Sequence, residues 1–395
     1  MVRILIVSSH YKKKSPGGAS QSIINIFEVL KEISHFNVKF LHPSLGKFKN
    51  FLLPPDISSY FFIPKILREI KKFKPHIIIT QRDIGKAAII SGRIKKIPVI
   101  NIIRDTSSIC PKKVDSINYG NACLGLTDRK TCFNCIDSWR SLRVKLGYNK
   151  KGWPYSLNAN FSIMFYKIKY FICRMNFFLY NRATINLVAS ELMKSILSKN
   201  VNPNKIKVFN ITPIEKSQIS NSIEKKNQLL FIINFFEENY KGLDFILELS
   251  KFIPKNYKII IIGRKLSAER IKEFIPKITN FGYIMGDRLD YLYQTSKILL
   301  IPTFCTEAFG RAVIESIINK TLVISSPNCG VNYYFKDRDF IKIVPLNTSL
   351  WIKAIKETLQ NPYQITDEDV SLVYESFSMQ KCKEDFIALI QDIIK

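Results

Sequence analysis

Acidic residues are scarce. The chain has 32 Asp and Glu against 60 Lys and Arg in 395 residues, a formal net charge of +28. An excess of that size points to nucleic acid, an anionic membrane surface or negatively charged substrates. A general abundance of lysine, isoleucine and asparagine is the alternative source of it. Long apolar runs are also missing: no stretch reaches the about 18 to 20 residues that span a bilayer. The opening "MVRILIVSSH" is too short for a targeting segment and lacks a cleavage pattern, so it reads as a first strand. The protein is therefore expected in the cytoplasm, with a peripheral position at the inner face of a membrane as a further expectation. No G-x-G-x-x-G and no P-loop follows the first strand, which excludes those two nucleotide fingerprints. The four histidines lie in no recognisable motif and far from the clustered cysteines, which argues against a Cys-His nucleophile.

What is present is a regular alternation. The run "VRILIVSS" is followed by a helical pattern from Gln21 to about Ser34, then by strands "VKFLHPS", "HIIIT" and "IPVINII" with helical patterns between them. Uninterrupted apolar strands alternating with helices predict a parallel, doubly wound sheet. After an insertion the pattern resumes with "INLVAS", a helix from Glu191 and "KIKVFN". The polar stretch Ser217 to Gln228 reads as a linker. Beyond it, "LLFIIN", "YKIIIIG", "ITNFGYI", "ILLIP" and "TLVISS" predict a second parallel sheet. A chain of this length suits two domains of about 200 residues. The expected fold class is α/β, with two Rossmann-like, doubly wound domains facing across a cleft. The expected boundaries are 1–216, a linker at 217–228, 229–375, and a C-terminal helix at 376–395 that packs back on the first domain.

The stretch "TEAFGRAVIES" carries the sharpest chemistry. It predicts a strand ending near Thr303, a loop from Glu307 to Gly310, and a helix from about Arg311 that presents Glu315. That layout belongs to a ligand site at the carboxyl end of a parallel sheet. Other strand-to-helix turns could hold phosphate on backbone amides. They are "SPGGAS" with Gly17 and Gly18, "NYKGLDF" with Lys241 before Gly242, and "IIIIGRK" with Gly263 and Arg264. Each also reads as an ordinary turn or a solvated cation.

Taken in order, these pieces resemble retaining GT-B glycosyltransferases of family 4, the glycosyl transferases group 1. "TEAFGRAVIES" is similar to that family's two glutamates separated by seven residues, with phenylalanine and glycine after the first. "LDYLYQTSKILLIPTF" before it, "LVISSPNCG" after it, and "RATINLVASELMKSIL", "KVFN" and "YKG" extend the likeness over most of the chain. The resemblance implies a metal-independent hexosyltransferase that takes a UDP-, GDP- or ADP-linked sugar, needs no cofactor and keeps the anomeric configuration. It gives Glu307 the donor-sugar hydroxyls, Glu315 the ribose, and Phe309 and Gly310 backbone amides facing the sugar and diphosphate. Lys241 neutralises the leaving diphosphate, and Gly18 approaches it from the other domain. The implied acceptor is a saccharide or a lipid-linked sugar, in the synthesis of cell-surface polysaccharide such as lipopolysaccharide.

Three departures from the pattern stand out. The family pairs its lysine with an arginine a few residues earlier, and "FIINFFEENYKG" has none; Arg264 and Arg311 are the candidates for that charge. "NKTL" stands where relatives have glycine and proline. "IIRDTS" replaces a histidine after a first-domain strand and makes Arg104 and Asp105 acceptor-side candidates.

Cys110, Cys123, Cys132 and Cys135 fall within 26 residues and include one C-x2-C pair. They read as a structural zinc site, as reduced thiols or as disulfides. The acidic triplets at 337–339 and 367–369 read as solvated surface. Between Ser138 and Ser190 there is no acidic residue, but nine Lys or Arg and twelve aromatics. That segment reads either as a surface for anionic lipid or as a hydrophobic helix packed on its domain with lysines reaching outward. The competing function is a basic nucleic-acid- or membrane-binding protein on the same scaffold without transferase activity. No nucleic-acid motif supports the first half of it, so nucleic acid is not an expected partner.

Overall fold

The uninterrupted apolar runs form parallel strands because helices cover both faces of each sheet. The structure, a computed structural model, describes residues 1–9, 18–42, 58–81, 84–112, 116–117, 121–123, 125, 128–145, 159–211, 213–214, 223–233, 240–263, 265–266, 272–274 and 277–395. The chain divides into two compact units. Residues 1–118, 123–213 and 377–395 make the first, and residues 119–122 and 214–376 the second.

The first unit runs β1 (Val2–Val7), α1 (Gly18–Lys31), β2 (Phe36–Leu41), α2 (Ile63–Phe73), β3 (Ile77–Gln81), α3 (Gly85–Lys95) and β4 (Val99–Ile103). It continues with α4 (Arg129–Lys145), α5 (Ala159–Tyr180), β5 (Ile185–Val188), α6 (Glu191–Leu197) and β6 (Ile206–Val208). The six strands are parallel in the order β2-β1-β3-β4-β5-β6. Ile4 to Val7 and Ile77 to Ile79 are fully buried, so these strands form the floor of the core. The Asn101 amide donates to Asn186 Oδ1 across β4 and β5 at 2.9 Å, which satisfies two polar side chains inside it.

Helix α5 packs on its domain along one face, as the second reading of the basic aromatic segment expects, and leaves another face exposed. Tyr170, Cys173, Asn176, Phe177 and Tyr180 are buried, and the Asn176 amide donates to the Ser108 carbonyl at 2.6 Å. Ile168, Phe171, Met175 and Phe178 are about half exposed and recur at helical spacing along the other side. The Arg182 guanidinium lies 3.3 Å from the centre of the Phe178 ring. Among the described residues no helix is long and apolar enough to cross a membrane.

The second unit runs β7 (Gln228–Ile233), α7 (Leu243–Ser250), β8 (Lys258–Gly263), β9 (Ile278–Gly282), α8 (Asp287–Thr295), β10 (Ile298–Ile301) and α9 (Arg311–Ile318). It ends with β11 (Leu322–Ser325), α10 (Asn332–Phe335), β12 (Ile341–Ile343), α11 (Thr348–Gln360) and α12 (Asp367–Phe377). Its six parallel strands lie in the order β9-β8-β7-β10-β11-β12. β7 already begins at Gln228, the last residue of the expected linker, and residues 215–222 lie outside the described residues.

The C-terminal helix expected at 376–395 starts only at Met379, because α12 runs on to Phe377. Ser378 adopts an extended backbone (φ −64°, ψ 161°), and its side chain caps α13 (Met379–Ile394) by accepting from the Lys381 amide at 3.1 Å. Helix α13 belongs to the first unit. Phe386 is fully buried with its ring 4.6 Å from that of Phe209, and the Cys382 thiol donates to the Asn210 carbonyl at 3.3 Å. Replacing Phe386 with alanine leaves a cavity that α13 cannot close by itself. The expected loss is about 3 to 5 kcal/mol, read by urea denaturation; a variant as stable as the parent would show that α13 does not stabilise the first unit.

Candidate active site

A doubly wound sheet binds ligands beyond the carboxyl ends of its strands, where the strand order reverses. In the second unit that point lies between β7 and β10, because the chain leaves β7 toward β8 on one side and reaches β10 on the other. Lys241 follows β7 and Glu307 follows β10, so topology brings these two residues together. The Lys241 ammonium bonds directly to Glu307 Oε2. Both side chains remain partly open, at 28% and 30% exposure, so the pair is a surface-accessible one.

Backbone contacts hold each partner in place. Gly242 has φ +86° and starts α7, and a Cβ there would overlap the Pro302 carbonyl at the exit of β10. The Phe304 amide donates to the Tyr240 carbonyl at 2.7 Å, tying the turn that carries Lys241 to the loop that carries Glu307. On its other side the loop forms a parallel bridge between Glu307 and Cys329. The Glu307 amide donates to the Asn328 carbonyl at 2.9 Å, and the Gly330 amide to the Glu307 carbonyl at 2.8 Å.

Gly310, at φ +95°, then turns the chain into α9. A Cβ at this position would strike the Cys329 sulfur. Burial pushes the Cys329 thiol up to about 11, so it stays neutral, and it donates to the Phe309 carbonyl at 3.6 Å. Phe309 itself is buried, with its ring 6.3 Å from that of Tyr334, and its carbonyl also accepts from the Val331 amide at 2.6 Å.

Glu315 is fixed from two sides. Its Oε1 accepts from Arg311 Nε at 2.7 Å, one helical turn earlier, and its Oε2 accepts from the Tyr293 hydroxyl at 3.0 Å. Burial first, and then the Glu315 charge, hold the Tyr293 phenol well above its ordinary value, so it stays protonated and donates to Glu315. Burial, followed by the charges of Glu315 and Asp287, also raises the Asp290 carboxyl. A helix N-terminus favours an anion through its first amides; in α9 the Val313 amide already donates to the Gly310 carbonyl at 2.9 Å, which leaves those of Arg311 and Ala312 as the ones to consider.

The structure thus gathers Lys241, Glu307, Phe309, Gly310, Arg311 and Glu315 around the carboxyl edge of one sheet. Arg264 lies outside the described residues. Gly18 opens α1 in the first unit, just after β1, which flanks that sheet's own reversal point between β1 and β3. Arg104, beyond the end of β4, is 9% exposed and donates to Gln81 Oε1 at 2.5 Å and to the Ile211 carbonyl at 3.0 Å. Asp105 caps the turn at Thr106–Ser108 through the Ser107 amide, at 2.9 Å. Tyr293 was missed at the sequence level. It sits inside a helix among other aromatics, and nothing local marks a phenol whose partner is 22 residues away.

Two readings of the sequence are corrected. Cys110, Cys123, Cys132 and Cys135 do not assemble a zinc site, since among the described residues no three His, Cys, Asp or Glu side chains are grouped to hold a metal. The Cys123 thiol instead donates to the Gly125 carbonyl at 2.8 Å, and none of the four is in a disulfide. Asp369 is not solvated surface: it is 9% exposed and accepts from the Tyr363 hydroxyl and the Thr366 amide. Burial opposes its ionisation, but those bonds outweigh it and hold the carboxyl below the ordinary carboxylate range.

Comparison with known proteins follows the same lines. No curated protein matches the sequence. A glycosyltransferase from Rickettsia africae has a similar structure, with 16% identity, a TM-score of 0.65, and 100% of this chain and 99% of that one covered. Anabaena HepE, solved with UDP and glucose, gives 12% identity, a TM-score of 0.62 and coverage of 99% and 100%. The UDP-GlcNAc 2-epimerase of Neisseria meningitidis, bound to UDP-GlcNAc, gives 12% identity, a TM-score of 0.54 and coverage of 99% and 100%. These likenesses extend over the whole chain and establish the fold as GT-B, two doubly wound parallel-sheet α/β domains. Within it, residues 214–373, the stretch that carries Lys241, Glu307 and Glu315, match the family described as glycosyl transferases, group 1.

Proposed function

We propose that the protein is a retaining glycosyltransferase of family 4 that moves a sugar from a nucleotide-sugar donor to a saccharide or lipid-linked acceptor. The observation that carries the reading is the pairing of Lys241 with Glu307 at the strand-order reversal of the second unit. Breaking a sugar-phosphate bond builds negative charge on the departing diphosphate. Preorganised cations and amides aimed at that charge lower the barrier.

In this arrangement Lys241 turns from Glu307 to the diphosphate, and Glu307 then accepts hydrogen bonds from donor-sugar hydroxyls. The α9 amides receive the phosphate oxygens. Glu315 accepts from the ribose hydroxyls while Arg311 and Tyr293 keep its carboxylate oriented. Arg311 also supplies positive charge where the chain lacks the arginine of the family pattern. UDP-sugars are the first donors to test, because HepE was solved with UDP and glucose. The epimerase shares the fold, but the two-glutamate signature and the group 1 match favour transfer over epimerisation.

The exposed face of α5 suits an acceptor held at a membrane. Its apolar stripe would enter the headgroup boundary of an anionic bilayer, with Lys167, Arg174 and Arg182 meeting the phosphates. The exposed stripe supports a role in polysaccharide synthesis at the cytoplasmic membrane face.

Thermal-shift screening against UDP-, GDP- and ADP-sugars should give stabilisation by one class. At a hundred times Kd the gain is about 2.7 kcal/mol, and Glu307→Ala or Glu315→Ala should abolish it. Salt-sensitive binding of RNA or DNA with no response to any donor would instead favour the binding-protein reading. In turnover assays, Lys241→Ala should lower kcat by about a hundredfold or more. The wild-type chain should sediment with vesicles containing anionic phospholipid and not with neutral ones. The double variant Phe171→Asp, Met175→Asp should lose that binding without losing its fold; equal sedimentation of both proteins would remove α5 from the membrane reading.

A further inference from the structure

The second unit has a cavity of about 410 Å³ lined by Lys225, Lys297 and Lys320, with Gln294, Asn319 and Tyr363 around them and an apolar floor that includes Leu322. Lys225 precedes β7, Lys297 precedes β10 and Lys320 precedes β11, and these three strands are neighbours in the sheet. The cavity therefore lies at the amino-terminal edge of the sheet, and Lys241 and Glu307 lie at the opposite, carboxyl edge.

Among the described residues no carboxylate lines it. Lys320 bonds Asp367 at 2.7 Å, but Asp367 is 83% exposed and stands outside the lining. The Lys297 ammonium donates to the Tyr257 hydroxyl at 3.1 Å, a neutral partner. The Lys225 ammonium donates to Thr321 Oγ1 at 2.6 Å, also neutral, and an ammonium has three protons to place. The Tyr363 hydroxyl is already given to Asp369 at 2.9 Å. Three basic side chains share one hollow, and a dehydrated ammonium draws a counter-charge. Burial alone lowers Lys225 to about 7, as expected for an amine that has lost water without gaining an anion.

We propose that this cavity is a binding site for a small organic anion bearing a carboxylate or phosphate group, held chiefly by Lys225 with Lys297 and Lys320 beside it. The ammonium groups take the anionic head and the apolar floor accepts the carbon skeleton, while the Gln294 amide donates to Asn319 Oδ1 at 2.9 Å and the Asn319 amide to the Glu315 carbonyl at 2.8 Å, which keeps both as fixed walls of the cavity. A compact lysine cation suits either head group, since neither requires the bidentate geometry of arginine. The site does not depend on the transferase reading, because none of its residues takes part in the donor arrangement.

Isothermal titration of the full chain tests it, using citrate as the carboxylate probe, glycerol 3-phosphate as the phosphate probe and glycerol as the uncharged control. The titrations are run at constant ionic strength and pH 8 in two buffers of unlike ionisation enthalpy. At least one anion is expected to bind where glycerol does not, with uptake of close to one proton as Lys225 regains its charge. Lys225→Met should weaken binding at least tenfold and remove the proton uptake. Its melting temperature should stay at or above that of the parent, since the variant no longer buries an amine. Lys241→Ala should leave the titration unchanged, which separates this cavity from phosphate binding at the donor site. Binding of neither anion, unchanged binding in Lys225→Met, or loss of binding in Lys241→Ala would each overturn the proposal.

Discussion

The bridge between Glu307 and Cys329 is the constraint on which the candidate site depends. It extends the pairing of β10 with β11 beyond the ends of both strands, at the point where a loop would otherwise leave the sheet. The Val331 amide donates to the Phe309 carbonyl at 2.6 Å and continues the same zipper by two residues. A loop tied along its length has little conformational freedom left to lose when a ligand arrives. The bridge also sets where α9 begins, because Gly310 must turn against the Cys329 sulfur with no side chain of its own. Both glutamates of the signature are therefore positioned by backbone bonding.

The Lys241–Glu307 pair has a different character. At about 30% exposure, ion pairs of this kind contribute roughly 0 to 1 kcal/mol, since water solvates both ends well in any case. Exchanging it for contacts to a ligand therefore costs little. While the site is empty, each group neutralises the other, and neither leaves a strong uncompensated field in the pocket. Glu315 contrasts with it: Arg311 and a buried phenol hold it, and moving it would strand Tyr293 without an acceptor. One carboxylate is free to change partners and the other is fixed.

Much of this was readable in the residues because parallel strands buried on both faces must be apolar throughout, as in "VRILIV" and "KIIIIG". The turn into α9 was readable for a similar reason: glycine is the residue that tolerates φ +95°. The failures have physical causes too. β12 is short and its burial is broken, with Lys342 and Ile343 only half-buried, so no apolar run marks it. The break at Ser378 depends on one capping side chain between two amphipathic helices. Cys132 and Cys135 sit three apart on α4, and spacing along a helix says nothing of whether Cys110 or Cys123 comes near them. Asp369 looked solvated because its neighbours in sequence are charged, whereas its partners are Tyr363 and Thr366.

The return of α13 to the first unit has a bearing on how the chain can be made. The Phe209 ring and the Asn210 carbonyl, near the end of the first unit's sheet, take partners from residues 386 and 382. A chain emerging from the ribosome therefore exposes that part of the first core while the whole second unit is still being synthesised. The second unit, by contrast, has all its strands and helices once residue 376 is out. Although it comes later in the sequence, it is the unit able to reach its final packing first, and the opening residues complete theirs last.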